Sequence, residues 1–228
     1  MKKYTGNKNI PGVYQKIINE IPDCNTFIEL FAGSAAISKI LKTDNTTSIY
    51  LNDINECVLN RNVCTVLNAE IFNLNYEDFL THYNTLIRSS RSTTIFADPP
   101  YMHETRPSQK KLYVNEMSND DHIQLLSTLL QQIHNVIIIH PKNKLYDQML
   151  TGWRIKEIKI RYNKKTSIEN LYMNFPDPKE LLDYSYIGSN CWERQRIKRQ
   201  QVNIYNKIAI LPGVQRNAIL KKLSQSTF

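Results

Sequence analysis

The residues of this chain best placed to do chemistry are Asp98-Pro99-Pro100-Tyr101, which follow directly on the apolar run Thr94-Ile95-Phe96-Ala97. A short run rich in apolar and β-branched residues reads as a buried strand. Two successive prolines cannot continue it, because neither donates a ladder hydrogen bond and each fixes its own φ. The turn therefore holds a carboxylate and a phenol ring at the carboxyl end of a strand, where α/β sheets place their ligands. An acceptor carboxylate, a prolyl carbonyl and an aromatic plate suit a flat heterocycle that carries an amino group. The same four residues also fit a plain strand-ending turn in which Asp98 is an N-cap.

Phe27-Ile28-Glu29-Leu30-Phe31-Ala32-Gly33-Ser34-Ala35 is the second segment of interest. Small residues from Ala32 to Ala35 let a ligand approach the backbone at the tip of a strand. A phosphate cradle would carry G-x-G-x-x-G or a G-K-[ST] ending, and neither occurs here. Glu29 adds a negative charge that suits a cationic ligand better than a pyrophosphate. Asp53, at the end of the next strand, is placed to accept hydrogen bonds from a ribose. A sulfonium nucleoside, S-adenosylmethionine, meets these demands with its ammonium group, its ribose and its lack of phosphate. Tight strand–helix packing is the other reading of the small residues.

The elements that must position these groups follow from apolar periodicity. Helices are expected over 11–21, 35–41, 55–67 and from Ser118 onward, with Ser118 as N-cap and Asp120 and Asp121 in the first turn. Strands are expected over 26–31, 48–51, 71–74, 94–97 and 135–140, followed by a hairpin of 153–162 and 167–175. This succession argues for an α/β fold with a mostly parallel seven-stranded sheet ending in an antiparallel hairpin. Pro176-Asp177-Pro178 breaks the pattern, dividing the chain into 1–175 and a helical extension over 176–228 with helices at 192–210 and 214–223. Trp153 reads as hairpin packing, Trp192 is open between packing and stacking, and His140 reads as a structural residue ending its strand.

The net charge of +8 is unevenly distributed. From Cys191 to Phe228 there are eight basic residues against the single acid Glu193, so nearly all the excess lies in that stretch. Concentrated positive charge favours a polyanion through counterion release, although basic tails also serve solubility. No apolar run approaches the ~18 residues of a membrane span, and Met1–Lys8 lacks a secretory apolar region. Cys24, Cys57, Cys64 and Cys191 have no C-x-x-C spacing and read as reduced, mostly buried thiols of a cytoplasmic protein. The five histidines show no metal-ligand spacing, so no metal is expected.

At this point the chain resembles a known family, the S-adenosylmethionine-dependent DNA adenine methyltransferases of the Dam-like class, in their short phage and bacterial forms. Tyr4-Thr5-Gly6-Asn7-Lys8 is similar to the family's amino-terminal motif, whose aromatic, glycine and lysine flank the cofactor. Phe27 to Ala35 resembles its F-x-G-x-G loop, with Ala35 in place of the second glycine; a Cβ is tolerated there if φ stays negative. Asp53 matches the ribose-binding acid. Tyr76-Glu77-Asp78-Phe79 resembles the segment whose acid bonds the cofactor's adenine and whose aromatic packs beside it. Asp98 to Tyr101 matches the catalytic D-P-P-Y. Glu104-Thr105-Arg106, the helix from Ser118 and Leu171-Tyr172-Met173-Asn174 also look like the short phage forms.

The resemblance implies a Rossmann-like methyltransferase fold with S-adenosylmethionine as cofactor and double-stranded DNA as partner, in a bacterial or phage-infected cytoplasm. It implies cofactor contacts from Tyr4, Gly6, Lys8, Glu29, Phe31, Ala32, Gly33, Ser34, Asp53, Asp78 and Phe79, and catalysis by Asp98, Pro99, Pro100 and Tyr101. Asp98 and the Pro99 carbonyl would accept the N–H groups of an exocyclic amine and free its lone pair for the cofactor's methyl group. Tyr101 would stack on a base flipped from the duplex, which offsets part of the few kcal/mol that flipping costs.

The polar stretch from Met102 to Met117 is expected to contact DNA through His103, Arg106, Lys110 and Lys111, unless it is simply a surface loop. The carboxyl-terminal helices would add Arg194, Arg196, Lys198 and Arg199. About sixty-five residues separate Gly33 from Asp98, too few for the separate recognition domain that larger family members carry there. Alternatives with the same fold are an RNA adenine methyltransferase, a cytosine 4-amino methyltransferase and a catalytically silent nucleic-acid-binding protein.

Overall fold

The computed structural model describes residues 8–41, 47–56, 69–86, 92–106, 111–162 and 165–225. Seven strands form one sheet: β1 (Thr26–Glu29), β2 (Ser48–Asn52), β3 (Ala69–Phe72), β4 (Thr93–Ala97), β5 (Asn135–Pro141), β6 (Arg154–Tyr162) and β7 (Lys165–Met173). Their order is β3-β2-β1-β4-β5-β7-β6. All pairings from β3 across to β5 are parallel, whereas β7 runs antiparallel to both β5 and β6. The expected α/β sheet with a closing hairpin is thus the observed one. Because the chain winds outward from β1 to β3 and then returns to lay β4 on the other side of β1, the sheet reverses between β1 and β4. At such a reversal the loops leaving the strand ends diverge and open a crevice.

Alternate residues of the central strands serve two cores, as the period of two requires. Ile28, Ile95, Ala97, Val136 and Ile138 face one layer, where α2 (Tyr76–Leu86) contributes Phe79, Leu80 and Tyr83. In the same layer α3 (Asn119–Leu130) contributes Leu125, Leu126 and Leu129. Phe27, Phe96, Ile137 and Ile139 face the other layer, with Ile17 and Ile18 of α1 (Tyr14–Ile18) and Ile158 and Leu171 of the hairpin. A short helix, α4 (Lys144–Met149), follows β5 and is capped by Asn143. Trp153 packs half-buried against the first core, as expected.

Several helices depart from their expected bounds. The helix expected over 11–21 is regular only from Tyr14 to Ile18, after a turn in which Gly12 adopts φ 85°. Residues 33–40 are turns, not a helix. The reason is local: Ser38 gives its N–H to the Glu29 carboxylate, and the Lys39 ammonium takes the Ser34 carbonyl that a helix would have paired with Ser38. Helices α2 and α4 were not legible from periodicity. The helix expected over 55–67 lies outside the described residues beyond Glu56.

The chain divides into two compact units, the first ending at Leu182 and the second running from Asp183. The second holds α5 (Cys191–Ala209) and α6 (Gly213–Gln225), neither of which buries any residue. Asn190 caps α5 by accepting the N–H of Glu193, whose carboxylate in turn takes the N–H and hydroxyl of Ser189. Among the described residues no helix is long and apolar enough to cross a membrane. Cys24 is half-buried and Cys191 is exposed, not buried as expected of most thiols here; Cys57 and Cys64 lie outside the described residues.

Candidate active site

The 98–101 turn leaves β4 at the reversal point and is fixed from every side. The Met102 N–H donates to His140 Nε2 at 3.1 Å, and His140 Nδ1 donates to the Pro141 carbonyl at 2.8 Å. His140 is fully buried, and burial pushes its pKa down to about 3, so the ring stays neutral and keeps Nε2 as an acceptor. The Tyr101 carbonyl accepts both Nε and Nη2 of Arg106. The Tyr101 hydroxyl donates to Glu169 Oε1 at 2.7 Å and accepts from Lys8 Nζ at 2.8 Å. Lys8 Nζ lies 2.9 Å from each oxygen of Asp98.

Asp98 lines a cleft of about 530 Å3 that lies at the crevice between β1 and β4. Its side chain is 19% exposed. Burial pushes its pKa up to about 6; Lys8 pulls against this, and the negative charge of Glu169 adds to it. Such a carboxyl is ionised at neutral pH yet strained as an anion, which makes it a ready hydrogen-bond acceptor for an N–H donor. Pro100 also lines the cleft, whereas Pro99 is buried and Tyr101 is half-buried.

The opposite wall is built by the ends of β1, β2 and β3. Asp53 lines the cleft and accepts the N–H groups of Gly33 and Asn55, each at 2.8 Å, one on each carboxylate oxygen. Both oxygens retain an unused lone pair for a ligand hydroxyl. Asn52 ties the rim together by donating to the carbonyls of Leu30 and Leu74 and accepting the Leu74 N–H. Phe31 lines the cleft, its ring 5.8 Å from that of Tyr76.

The remaining expected cofactor residues lie elsewhere. Glu29 is buried behind the loop, where its carboxylate takes the N–H and hydroxyl of Ser38; burial lifts its pKa to about 7. It therefore shapes the 33–41 turns and does not line the cleft. Ala32, Gly33 and Ser34 form the loop backbone without lining it, and Ala35 adopts φ 50°, not the negative φ expected of it. Ala35 thus takes the left-handed conformation that costs an L-residue ~1–2 kcal/mol, and being fully buried it is held there by the packed loop. Asp78 is exposed and pairs with Asn75 at the start of α2, while Phe79 is sealed in the core. Their neighbours Asn75 and Tyr76 line the cleft in their place. An Asn at an N-cap with an acid three residues on is a capping signal, and it would have revealed the role of Asp78.

The segment after the turn is also rearranged. Leu112 to Met117 forms a strap along the cleft. Glu116 organises it by accepting the N–H groups of Leu112 and Tyr113 and pairing with Arg106 at 2.5 Å. Burial would raise the Glu116 pKa, but the Arg106 hydrogen bond and the two N–H groups hold it at about 2. Arg106 is accordingly 6% exposed and turned inward, and the structure removes it from the expected DNA-facing set. His103 and Lys111 are exposed. On the second unit Arg196, Lys198 and Arg199 are exposed, whereas Arg194 is half-buried, over the Tyr186 ring at 4.3 Å. Tyr4, Gly6 and Lys110 lie outside the described residues. Among the described residues no cluster of His, Cys, Asp or Glu could hold a metal ion.

A sheet reversing between β1 and β4, with a ribose-type acid on one wall and a D-P-P-Y turn on the other, defines a nucleoside-binding α/β protein. The chain belongs to the D12 class N6 adenine-specific DNA methyltransferase family, which it matches over residues 4–75 and 59–168. No curated protein sequence matches it. Among solved structures it is similar to a SAM-dependent methyltransferase from Agrobacterium tumefaciens, with 11% identity and a TM-score of 0.47. That likeness covers 70% of this chain and 58% of the other, so the chain spans under two thirds of that relative's length. An rRNA methylase from Streptococcus thermophilus is similar at 13% identity and a TM-score of 0.46, covering 76% of this chain and 96% of that one.

Proposed function

We propose that the protein is a site-specific DNA adenine methyltransferase acting on the exocyclic 6-amino group of an adenine flipped out of the duplex, in the cytoplasm of a bacterial host. The observation that carries this reading is the placement of Asp98 on the cleft wall with Lys8 against both its oxygens. The donor is S-adenosylmethionine, and the residues fit it: Asp53 has lone pairs to spare for ribose hydroxyls, and Phe31 and Tyr76 offer rings to an adenine. When bound, it supplies an electrophilic methyl group on a sulfonium.

The rest of the chemistry belongs to the chain. Asp98 accepts an N–H of the target amine, which draws the nitrogen lone pair out of conjugation with the ring. Lys8 holds the carboxylate in place. Arg106 and His140 hold the carbonyl and the N–H of the one peptide that follows Tyr101, so that its ring presents a preset surface to the base. Exposed His103 and Lys111, with Arg196, Lys198 and Arg199 of the second unit, supply phosphate contacts.

The test is methyl transfer from radiolabelled S-adenosylmethionine to duplex DNA, to RNA of the same sequence and to poly(dC)-containing duplex. Adenine in DNA is expected to be labelled. Asp98→Asn should lower the rate by at least ~100-fold with cofactor binding retained. The wild-type rate should fall as pH drops through about 6, because Asp98, its pKa raised, then loses the carboxylate form. Labelling of RNA alone, or full activity in the Asp98→Asn protein, would overturn the reading.

A further inference from the structure

We propose that Glu169, on β7 and outside the segments that carry the family motifs, is a positioning residue that orients Lys8 and Tyr101 around Asp98. Its side chain is completely buried. A carboxylate removed from water is costly unless charged or hydrogen-bonding partners surround it. The partners it finds are two groups of the site: Tyr101, whose hydroxyl donates to Oε1 at 2.7 Å, and Lys8, whose Nζ lies 3.4 Å from Oε2. Nothing about hairpin packing demands a charge at this place. The pairing of β7 with β5 sets Glu169 opposite Pro141, at the same carboxyl rim from which the 98–101 turn emerges.

Counting protons gives the arrangement a direction. A phenol has one proton to give. Tyr101 spends it on Glu169, so its oxygen must accept from Lys8, and Lys8 is left with its other protons for Asp98. The chain of donors therefore runs from Lys8 through Tyr101 to Glu169, with a branch from Lys8 to Asp98. Tyr101 cannot swing its ring without breaking this chain, and Lys8 cannot drift from Asp98 without leaving Glu169. Two carboxylates share one cation, so Glu169 also sets the electrostatic environment of Asp98, whose proton affinity it raises. The other titratable groups facing this cluster are Glu29 of β1, Tyr113 of the strap, His140 of β5 and Tyr146 of α4.

The inference rests on the methyltransferase reading for its consequence but not for its test. In Glu169→Gln the amide keeps an oxygen for Tyr101 and removes the charge. Carbon-13 carboxyl NMR of wild type and variant, without cofactor or DNA, should show the Asp98 titration moving to lower pH by about one unit. An unmoved Asp98 titration in a folded variant overturns the proposal, whatever the protein's substrate. In the methylation assay the acid limb should move the same way, and kcat should fall ~10- to 100-fold with the cofactor KM unchanged. If Glu169→Gln does not fold, Tyr101→Phe breaks the same chain while keeping the ring. A wild-type kcat in that protein would overturn the proposal too. Absence of methylation by wild type, with the Asp98 titration moved as expected, would instead count against the adenine reading alone.

Discussion

The rim of the sheet and the carboxyl-terminal helices both carry basic side chains, and the two sets do opposite things. Lys8 and Arg106 are 1% and 6% exposed, and each is matched to a carboxylate, Asp98 or Glu116. Arg196, Lys198 and Arg199 lie exposed on a helix that buries nothing. A buried cation is worth what its partners make of it and breaks its surroundings when lost. An exposed one adds little to stability but is free to replace counterions on a phosphate backbone. The lesson is that a basic residue near a D-P-P-Y turn need not face nucleic acid; Arg106 instead holds the turn.

This contrast can be broken most directly by mutation. Arg106→Ala should destabilise the first unit by about 3 kcal/mol, because it strips Glu116 of its cation and frees the Tyr101 carbonyl. The salt slope of DNA binding should stay unchanged. Replacing Arg196, Lys198 and Arg199 together by Ala should do the reverse: denaturant stability unaltered, and the log–log salt slope reduced by about 2–3. If both variants changed the slope alike, the distinction would fail.

A smaller effect is expected from acid. Burial holds the pKa of His140 at about 3 and that of His122 at about 4, well below the ordinary imidazole value. The unfolded chain therefore takes up protons first as pH falls. Stability contributed by the two neutral rings is complete above pH ~6.5 and is lost as pH drops towards the folded values. The raised pKa values of Glu29 and Asp98 act in the opposite direction over the same window. The check is therefore a difference: from pH 6.5 to 4 the urea midpoint of wild type should fall relative to that of His140→Gln. Parallel declines would refute the assignment. The slightest change is expected at Ala35→Gly, where relief of the left-handed strain is partly offset by lost methyl burial. Stability should rise by less than about 1 kcal/mol, whereas a loss above that figure would mean that φ 50° is unstrained.

Much of this protein was legible in the residues. Prolines ending an apolar run, the alternation of the central strands and the crowding of basic residues after Cys191 are local signals, because each depends on a few neighbouring side chains. They sufficed for the parallel sheet with its hairpin, for the placing of Asp53 and Asp98 at strand ends, and for a helical carboxyl-terminal extension. Helix bounds were harder: Glu29, nine residues upstream, takes the N–H of Ser38, and no periodicity announces that.

What only the tertiary structure decided is which charges are inside. Lys8 meets Tyr101 across 93 residues of sequence, and Tyr101 meets Glu169 across 68. A buried ion pair requires both members to arrive at one point, and that depends on the strand order, not on either residue's neighbours. The same holds for His140 beneath the turn, which meets Met102 across 38 residues. Sequence alone thus fixed the type of rim and the acids at its strand ends. Folding chose the partners, because the energy of a charge in a protein interior is set by its surroundings.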